Sequence, residues 1–331
     1  MAKFLIIRFS SIGDIVLTTP IVRAIKHRYP DAEVHYVTKK GFYDILRHNP
    51  GIDKVHLLDG PLSALIAALK EEKFDYIIDL HHNLRSLVIK LRLFGPKAYS
   101  FPKLNFAKWV LVRLKWNIMP DIHIVDRYFK TLERLDIKND SAGLDFFLPS
   151  EDIFPLEKMP SIFGEPYIAM VIGAKHFTKR IPTDRVIELS KKLMFPIVIL
   201  GGMEDSDHGN IIAKKSGLHV FNACGKLSIL ESASVIKRAK LVISSDTGLM
   251  HIAAAYKRDI FSLWGNTTPL LGMYPYFPGI KSKIFEVSQL SCRPCSKIGF
   301  DTCPKKHFKC MQEISYDQIV VEAKEIMQQE R

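Results

Sequence analysis

Phe4-Leu5-Ile6-Ile7-Arg8-Phe9-Ser10-Ser11-Ile12-Gly13-Asp14 is the stretch on which the fold turns. A short apolar run closed by Ser and Gly is the signature of a strand buried on both faces, as in a parallel sheet. A helix follows from about 14 to 28, and Pro20 inside it demands a kink or a late start. Working outward, 34–37, 55–58 and 76–80 are further strands, with a helix at 62–69. Strands alternating with helices give a parallel sheet with right-handed crossovers.

The pattern restarts after Pro149. Strands are expected at 167–172, 196–200, 220–222, 241–244 and 260–264, and helices at 183–194, 229–239 and 248–256. The linker is placed at 150–165, which carries Pro155, Pro160 and Gly164. The expected fold class is therefore α/β, with two Rossmann-like doubly wound domains at 1–155 and 156–314. A last helix at 315–331 has Ser315 and Gln318 spaced as a capping box and a stripe of Ile319, Val320, Ala323, Ile326 and Met327.

The chain has 331 residues, 47 Lys+Arg and 35 Asp+Glu, a net charge of +12. That excess attracts nucleic acid, an anionic membrane surface or a phosphorylated substrate. The apolar and charged fractions of 47% and 25% exclude a disordered or collagen-like chain. No stretch approaches the roughly 18 apolar residues of a membrane span. Lys3 precedes only Phe4–Ile7 before Arg8, too short for the core of a signal peptide. A reducing cytosol is the expected compartment, without structural disulfides.

Several loops follow strands, where open α/β sheets bind ligands. Ser10-Ser11-Ile12-Gly13-Asp14 lacks the dinucleotide pattern G-x-G-x-x-G, which argues against a nicotinamide-dependent oxidoreductase. Asp14 also suits a helix N-cap. Ser245-Asp246-Thr247-Gly248 opens a second helix, whose free amides and dipole suit a diphosphate, although Asp246 and Thr247 suit capping equally. His251 is either a core histidine or a ligand contact. Lys175, Lys179 and Arg180 make a cationic loop fit for phosphate or for solvent. Glu204 and Asp205 follow Gly201-Gly202, where a carboxylate could hold ribose hydroxyls or simply close a turn.

Cys292-x2-Cys295-x7-Cys303-x6-Cys310 is compatible with tetrahedral zinc or with four reduced thiols. Residues 85–120 hold eight Lys or Arg, no Asp or Glu, and Phe94, Tyr99, Phe101, Phe106, Trp109 and Trp116. Such a stretch suits an anionic glycolipid surface, single-stranded nucleic acid, or a buried helix with snorkelling lysines. A basic nucleic-acid-binding protein is the non-enzyme alternative, but no reading module is apparent.

Taken together, Ile6 to Pro20, Asp79-Leu80-His81-His82-Asn83-Leu84-Arg85-Ser86, Asp246 to Ala254 and the Cys-rich segment resemble the ADP-heptose:lipopolysaccharide heptosyltransferases, glycosyltransferase family 9. The resemblance runs nearly end to end. It implies a GT-B fold, with the last helix crossing back to the first domain, and an inverting, metal-independent transfer without a cofactor. It implies that Asp14 is the catalytic base. Lys179, Thr247, Gly248 and His251 fall on the donor phosphates. Glu204 falls on the donor ribose, with Asp205 as an alternative alignment, and Asp246 on the donor sugar. Ser11, Gly13, Arg85 and Ser86 fall on the acceptor side. The implied partners are ADP-heptose or a related nucleotide sugar and an anionic lipid A–core glycolipid, met at the cytoplasmic face of the inner membrane, with no nucleic acid. Ala174 and Lys175 replace threonines found near the donor in some members, and Ile181 replaces an aromatic before Pro182. These departures leave another nucleotide sugar or acceptor open.

Overall fold

The computed structural model describes residues 1–149, 160, 164 and 166–329. The expected linker at 150–165 thus lies, apart from Pro160 and Gly164, outside the described residues. The chain divides into two compact units, Met1–Leu104 with Ile122–Pro149, and Asn105–Asp121 with Ser150–Arg331. The division differs from the expected boundary near 155, because Asn105–Asp121 goes with the second unit. Lys115 Nζ anchors that segment there, donating to the carbonyls of Cys292 (3.2 Å) and Pro294 (2.6 Å).

The first unit holds β1 (Lys3–Ile7), β2 (Glu33–Lys39), β3 (Lys54–Leu58), β4 (Tyr76–Asp79) and β5 (Lys97–Ser100). They form one parallel sheet in the order β3-β2-β1-β4-β5. Phe4, Leu5, Ile6 and Ile7 are wholly buried in its centre. Burying each such side chain stabilises the fold by roughly 1.5–3 kcal/mol, before ordering entropy is counted. The strand order reverses between β1 and β4, so the loops after these two strands flank a topological switch point.

The second unit repeats the arrangement with β6 (Ile168–Val171), β7 (Ile197–Leu200), β8 (Val220–Asn222), β9 (Leu241–Ser245), β10 (Asp259–Trp264) and β11 (Lys283–Glu286). The order is β11-β10-β9-β6-β7-β8, again all parallel, with the reversal between β6 and β9.

Three local expectations are corrected. The single helix expected at 14–28 is two, Ile12–Val16 and Thr19–Arg28, with Pro20 in the first turn of the second. There its missing N–H has no intrahelical partner to lose. The C-terminal helix, Tyr316–Gln328, begins without a side-chain cap from Ser315, and Gln318 Nε2 donates instead to Glu322 Oε1 at 2.8 Å. Its apolar stripe is buried in one cluster with Ile168, Met170, Leu189 and Leu193, so the second unit consumes the face expected to reach the first. Among the described residues no helix is long and apolar enough to cross a membrane.

Candidate active site

In the first unit β1 delivers Arg8 and the helix Ile12–Val16 delivers Asp14. Ser11, not Asp14, occupies the N-cap position; Asp14 is the third helical residue. One of its oxygens, Oδ2, accepts from the Ser11 amide (3.1 Å) and hydroxyl (2.8 Å), and the other, Oδ1, takes Arg8 Nη2 at 2.6 Å. Arg8 is itself fixed by the carbonyls of Ser10 (2.9 Å) and Leu80 (2.5 Å) and by Tyr128 Oη (3.2 Å). Burial pushes the Asp14 carboxyl up, but the Arg8 charge and the Ser11 hydrogen bonds outweigh it and hold it below the usual carboxylate range. Its side chain keeps 21% of its surface exposed, so an ionised acceptor faces solvent. Gly13 is buried beside it.

The loop after β4 is organised around a carboxylate that was not singled out in the sequence. Asp79 is fully buried and pairs with Lys90 Nζ at 2.8 Å. It also accepts from the amides of His81 (3.1 Å) and His82 (2.6 Å) and from Ser86 Oγ (2.9 Å). Ser86, expected on the acceptor side, is instead buried and committed to Asp79 and to the Asn83 amide (2.9 Å). Asn83 Oδ1 in turn accepts from the Ser86 amide at 3.0 Å, which closes a capping box on the helix Leu84–Arg92. Arg85 is exposed on the first turn of that helix. His81 packs edge-on against Phe9, and burial together with the Arg8 charge lowers it to about 4, so it is neutral at pH 7.

In the second unit the loops after β6 and β9 meet at the switch point. Lys179 Nζ bonds Asp246 Oδ2 at 2.6 Å, and Thr267 Oγ1, from the loop after β10, donates to the same oxygen at 3.1 Å. Asp246 is therefore neither a cap nor a free carboxylate. Thr247 sits at the N-cap of the helix Gly248–Ala255, but its hydroxyl goes to Ser244 Oγ (3.1 Å) rather than to the helix. Side-chain capping thus leaves the first-turn amides, at Gly248 and beyond, to other acceptors. His251, on the first turn of that helix, is 2% exposed.

The cationic loop is only partly open. Arg180 is committed to the Ala174 carbonyl (2.9 Å) and to Asp205 (3.4 Å), and Lys179 to Asp246, so of the three expected cations the exposed Lys175 has no acidic partner among the described residues. Asp205 is 2% exposed and accepts from the Gly202 amide at 2.9 Å. Glu204 beside it is exposed. Of the two alignments considered, Asp205 is structural and Glu204 is presented. Glycine is required where these loops touch: a Cβ on Gly173 would lie 2.4 Å from Asp205 Oδ2 and 2.9 Å from Gly201 Cα. A pocket of about 250 Å³ adjoins this edge, lined by Phe177, Arg180, Ile181, Asp205, His208 and Phe308 among others.

All five cysteines are free thiols, and Cys310 is buried. Cys292, Cys295, Cys303 and Cys310 lie near enough to act on one another electrostatically, but no three of their sulfurs lie within 4.8 Å of one another. Among the described residues the one group of three such ligands within 4.8 Å is His35, His56 and Glu72. That trio is a hydrogen-bonded chain: His35 joins His56 at 2.9 Å and Glu33 at 2.6 Å, while Glu72 is occupied by Lys3 and Lys54.

Comparison with known proteins places this geometry. The model of glycosyltransferase family 9 (heptosyltransferase) matches residues 62–306. The lipooligosaccharide heptosyltransferase 2 of Campylobacter jejuni is 30% identical over 328 residues, covering 95% of this chain and 96% of the relative. A solved glycosyl transferase family 9 protein from Veillonella parvula superposes with a TM-score of 0.79 at 22% identity, covering 98% and 97% of the two chains. The E. coli heptosyltransferase WaaC with ADP superposes with a TM-score of 0.70 at 21% identity, covering 98% and 99%. Two parallel Rossmann-like sheets of this kind are the GT-B fold, and the chain belongs to glycosyltransferase family 9, the heptosyltransferases.

Proposed function

We propose that the protein transfers a heptose from ADP-heptose to the inner core of a lipopolysaccharide or lipooligosaccharide, with inversion at the anomeric carbon. The observation that carries the reading is the Lys179–Asp246 pair beside the N-terminus of the helix Gly248–Ala255, at the β6/β9 switch point. A cation and unspent backbone amides there suit a leaving diphosphate. The heptosyltransferase and ADP in the names of the relatives support the same donor.

The chemistry is one displacement. The acceptor hydroxyl oxygen forms a bond to the anomeric carbon as the bond from that carbon to the diphosphate oxygen breaks. The electron pair leaves with the ADP, and the hydroxyl proton passes to Asp14. An ionised aspartate is a weak base toward a free alcohol. It becomes competent as the attacking oxygen acquires positive character in the transition state. Arg8 and Ser11 hold Asp14 in that state and orientation. Lys179, Lys175 and the amides at Thr247 and Gly248 offset the charge on the departing diphosphate without calling on a metal. Glu204 accepts from the donor ribose. Ser11, Gly13 and Arg85 remain as the acceptor-side groups, and the reaction would take place at the cytoplasmic face of the inner membrane.

The test is calorimetric titration with ADP on the wild type and on Lys179→Met. Binding that weakens about 10–100-fold, the worth of one charge-assisted contact, supports the assignment. Equal affinity removes Lys179 from the donor site.

A further inference from the structure

The Cys-rich segment has no part in the transfer chemistry, yet it is tied to the Lys179–Asp246 pair from two directions. On one side lies the turn Gly265-Asn266-Thr267, just beyond the end of β10. Asn266 and Thr267 are each 1% exposed, so the carbonyls of this turn need partners from elsewhere in the chain. Three consecutive carbonyls are taken by Arg293 and Cys295. Arg293 Nε donates to Gly265 O at 2.5 Å, the Cys295 amide to Asn266 O at 3.0 Å, and Arg293 Nη2 to Thr267 O at 3.0 Å. The guanidinium is anchored in turn by the Val287 carbonyl (2.6 Å) and by Glu286 Oε2 (2.7 Å), and only 5% of the side chain is exposed. Arg293 is thus a clamp on backbone rather than a phosphate contact.

On the other side lies Thr178, the neighbour of Lys179. The Thr178 amide donates to Phe300 O at 3.1 Å, and the Phe300 amide donates to Thr178 Oγ1 at 2.8 Å. The two anchor points meet at one atom. Thr267 Oγ1 and Lys179 Nζ both donate to Asp246 Oδ2, at 3.1 and 2.6 Å. A shift of the turn at Thr267 would withdraw the hydroxyl and leave the carboxylate oriented by Lys179 alone.

We infer that Arg293 is a positioning residue for donor binding. Through the carbonyls of Gly265 and Thr267 it keeps the Thr267 hydroxyl on Asp246, and so sets where the Lys179 ammonium meets the diphosphate. The planar fork of a guanidinium holds two carbonyls at a fixed spacing, which a lysine ammonium cannot do. The inference rests on the reading of Lys179 as a diphosphate contact.

The experiment is calorimetric titration with ADP on the wild type, Arg293→Lys, Lys179→Met and the double variant, with circular dichroism and the melting temperature as controls for folding. Lysine keeps the charge beside Glu286 but loses the fork. Arg293→Lys should weaken ADP binding about 5–10-fold, the scale of a contact moved slightly out of place. The donor KM should rise by a similar factor with the acceptor KM unchanged. A purely structural role would instead lower the active fraction, and with it kcat, at unchanged KM. In the Lys179→Met background the same substitution should cost less than about twofold, because the group it positions is gone. Thr178→Val removes the acceptor of the Phe300 amide at the other anchor. It should weaken ADP binding in the same direction, and it decides the matter where Arg293→Lys melts early. Unchanged ADP affinity in folded Arg293→Lys, unchanged affinity in Thr178→Val where it decides, or the full loss repeated in the Lys179→Met background would each overturn the inference while leaving Lys179 in the donor site. Equal ADP affinity of Lys179→Met and the wild type would remove the donor reading first, and the inference with it.

Discussion

The two units share one topology and place an ion pair at its switch point, with Asp14 the more exposed member in the first and Lys179 in the second. At the end of β1 the first unit presents a carboxylate, Asp14, kept ionised by Arg8. At the ends of β6 and β9 the second presents a lysine and the start of a helix. The same backbone edge therefore serves a proton acceptor in one unit and an anion receptor in the other. Fold alone does not separate these roles; the residues that follow each strand do. The first unit adds a contrast of its own. Asp14 keeps a fifth of its side chain exposed, whereas Asp79, one strand away, is sealed. One carboxylate is placed to react and the other to hold a loop.

Asp14→Asn tests the contrast most severely. Transfer should fall about 10³-fold, within the range for loss of a general base, while ADP affinity measured by calorimetry stays within twofold or so. A comparable loss of donor affinity would place Asp14 on the wrong side of the comparison.

Asp79→Ala should instead act on stability. It strands the Lys90 ammonium in the interior and frees the His81 and His82 amides, a cost of roughly 3–5 kcal/mol in chemical denaturation. A stable variant lacking only activity would show that Asp79 is a catalytic group.

The pH dependence separates Asp14 from neutral bases. Its folded value is depressed below the ordinary 3.8, so its contribution to stability is present above 3.8 and is lost as pH falls through the lower folded value. The acid limb of kcat/KM assigned to Asp14 should lie below 3.8 in the wild type and rise in Arg8→Met. A limb near neutrality that tracks Asp14 would contradict the Arg8 pairing.

Ser86→Ala has the smallest expected effect. It removes one buried hydrogen bond to Asp79 and half of a capping box, about 1–2 kcal/mol, without changing the acceptor KM. A raised acceptor KM at unchanged stability would restore Ser86 to the acceptor side.

Much of this was legible in the sequence. The buried central strands announce themselves as apolar runs, as in Phe4–Ile7 and Leu241–Ile243. The edge strands Lys97–Ser100 and Lys283–Glu286 did not, because half-exposed edges need no such run. The loops after β1, β6, β7 and β9 were located from Gly, Ser and charge at the ends of strands. Pairing was not: nothing local says that Arg8 meets Asp14, that Arg180 is spent on Asp205, or that Thr267 supports Asp246. Those partners are joined by sheet order, which short-range pattern does not encode. Two signals were available. An arginine directly after a buried strand must find an anion or carbonyls, and Asn83 three residues before Ser86 is an N-cap spacing.

The most direct measurement is the mass of a truncated lipooligosaccharide acceptor after incubation with ADP-heptose and the wild-type protein, with Asp14→Asn in parallel. The wild type should add one heptose and release ADP, and the variant should bind donor but leave the acceptor unshifted. An unshifted acceptor with the folded, donor-bound wild type, or equal shifts with both proteins, would contradict heptosyl transfer with Asp14 as its base.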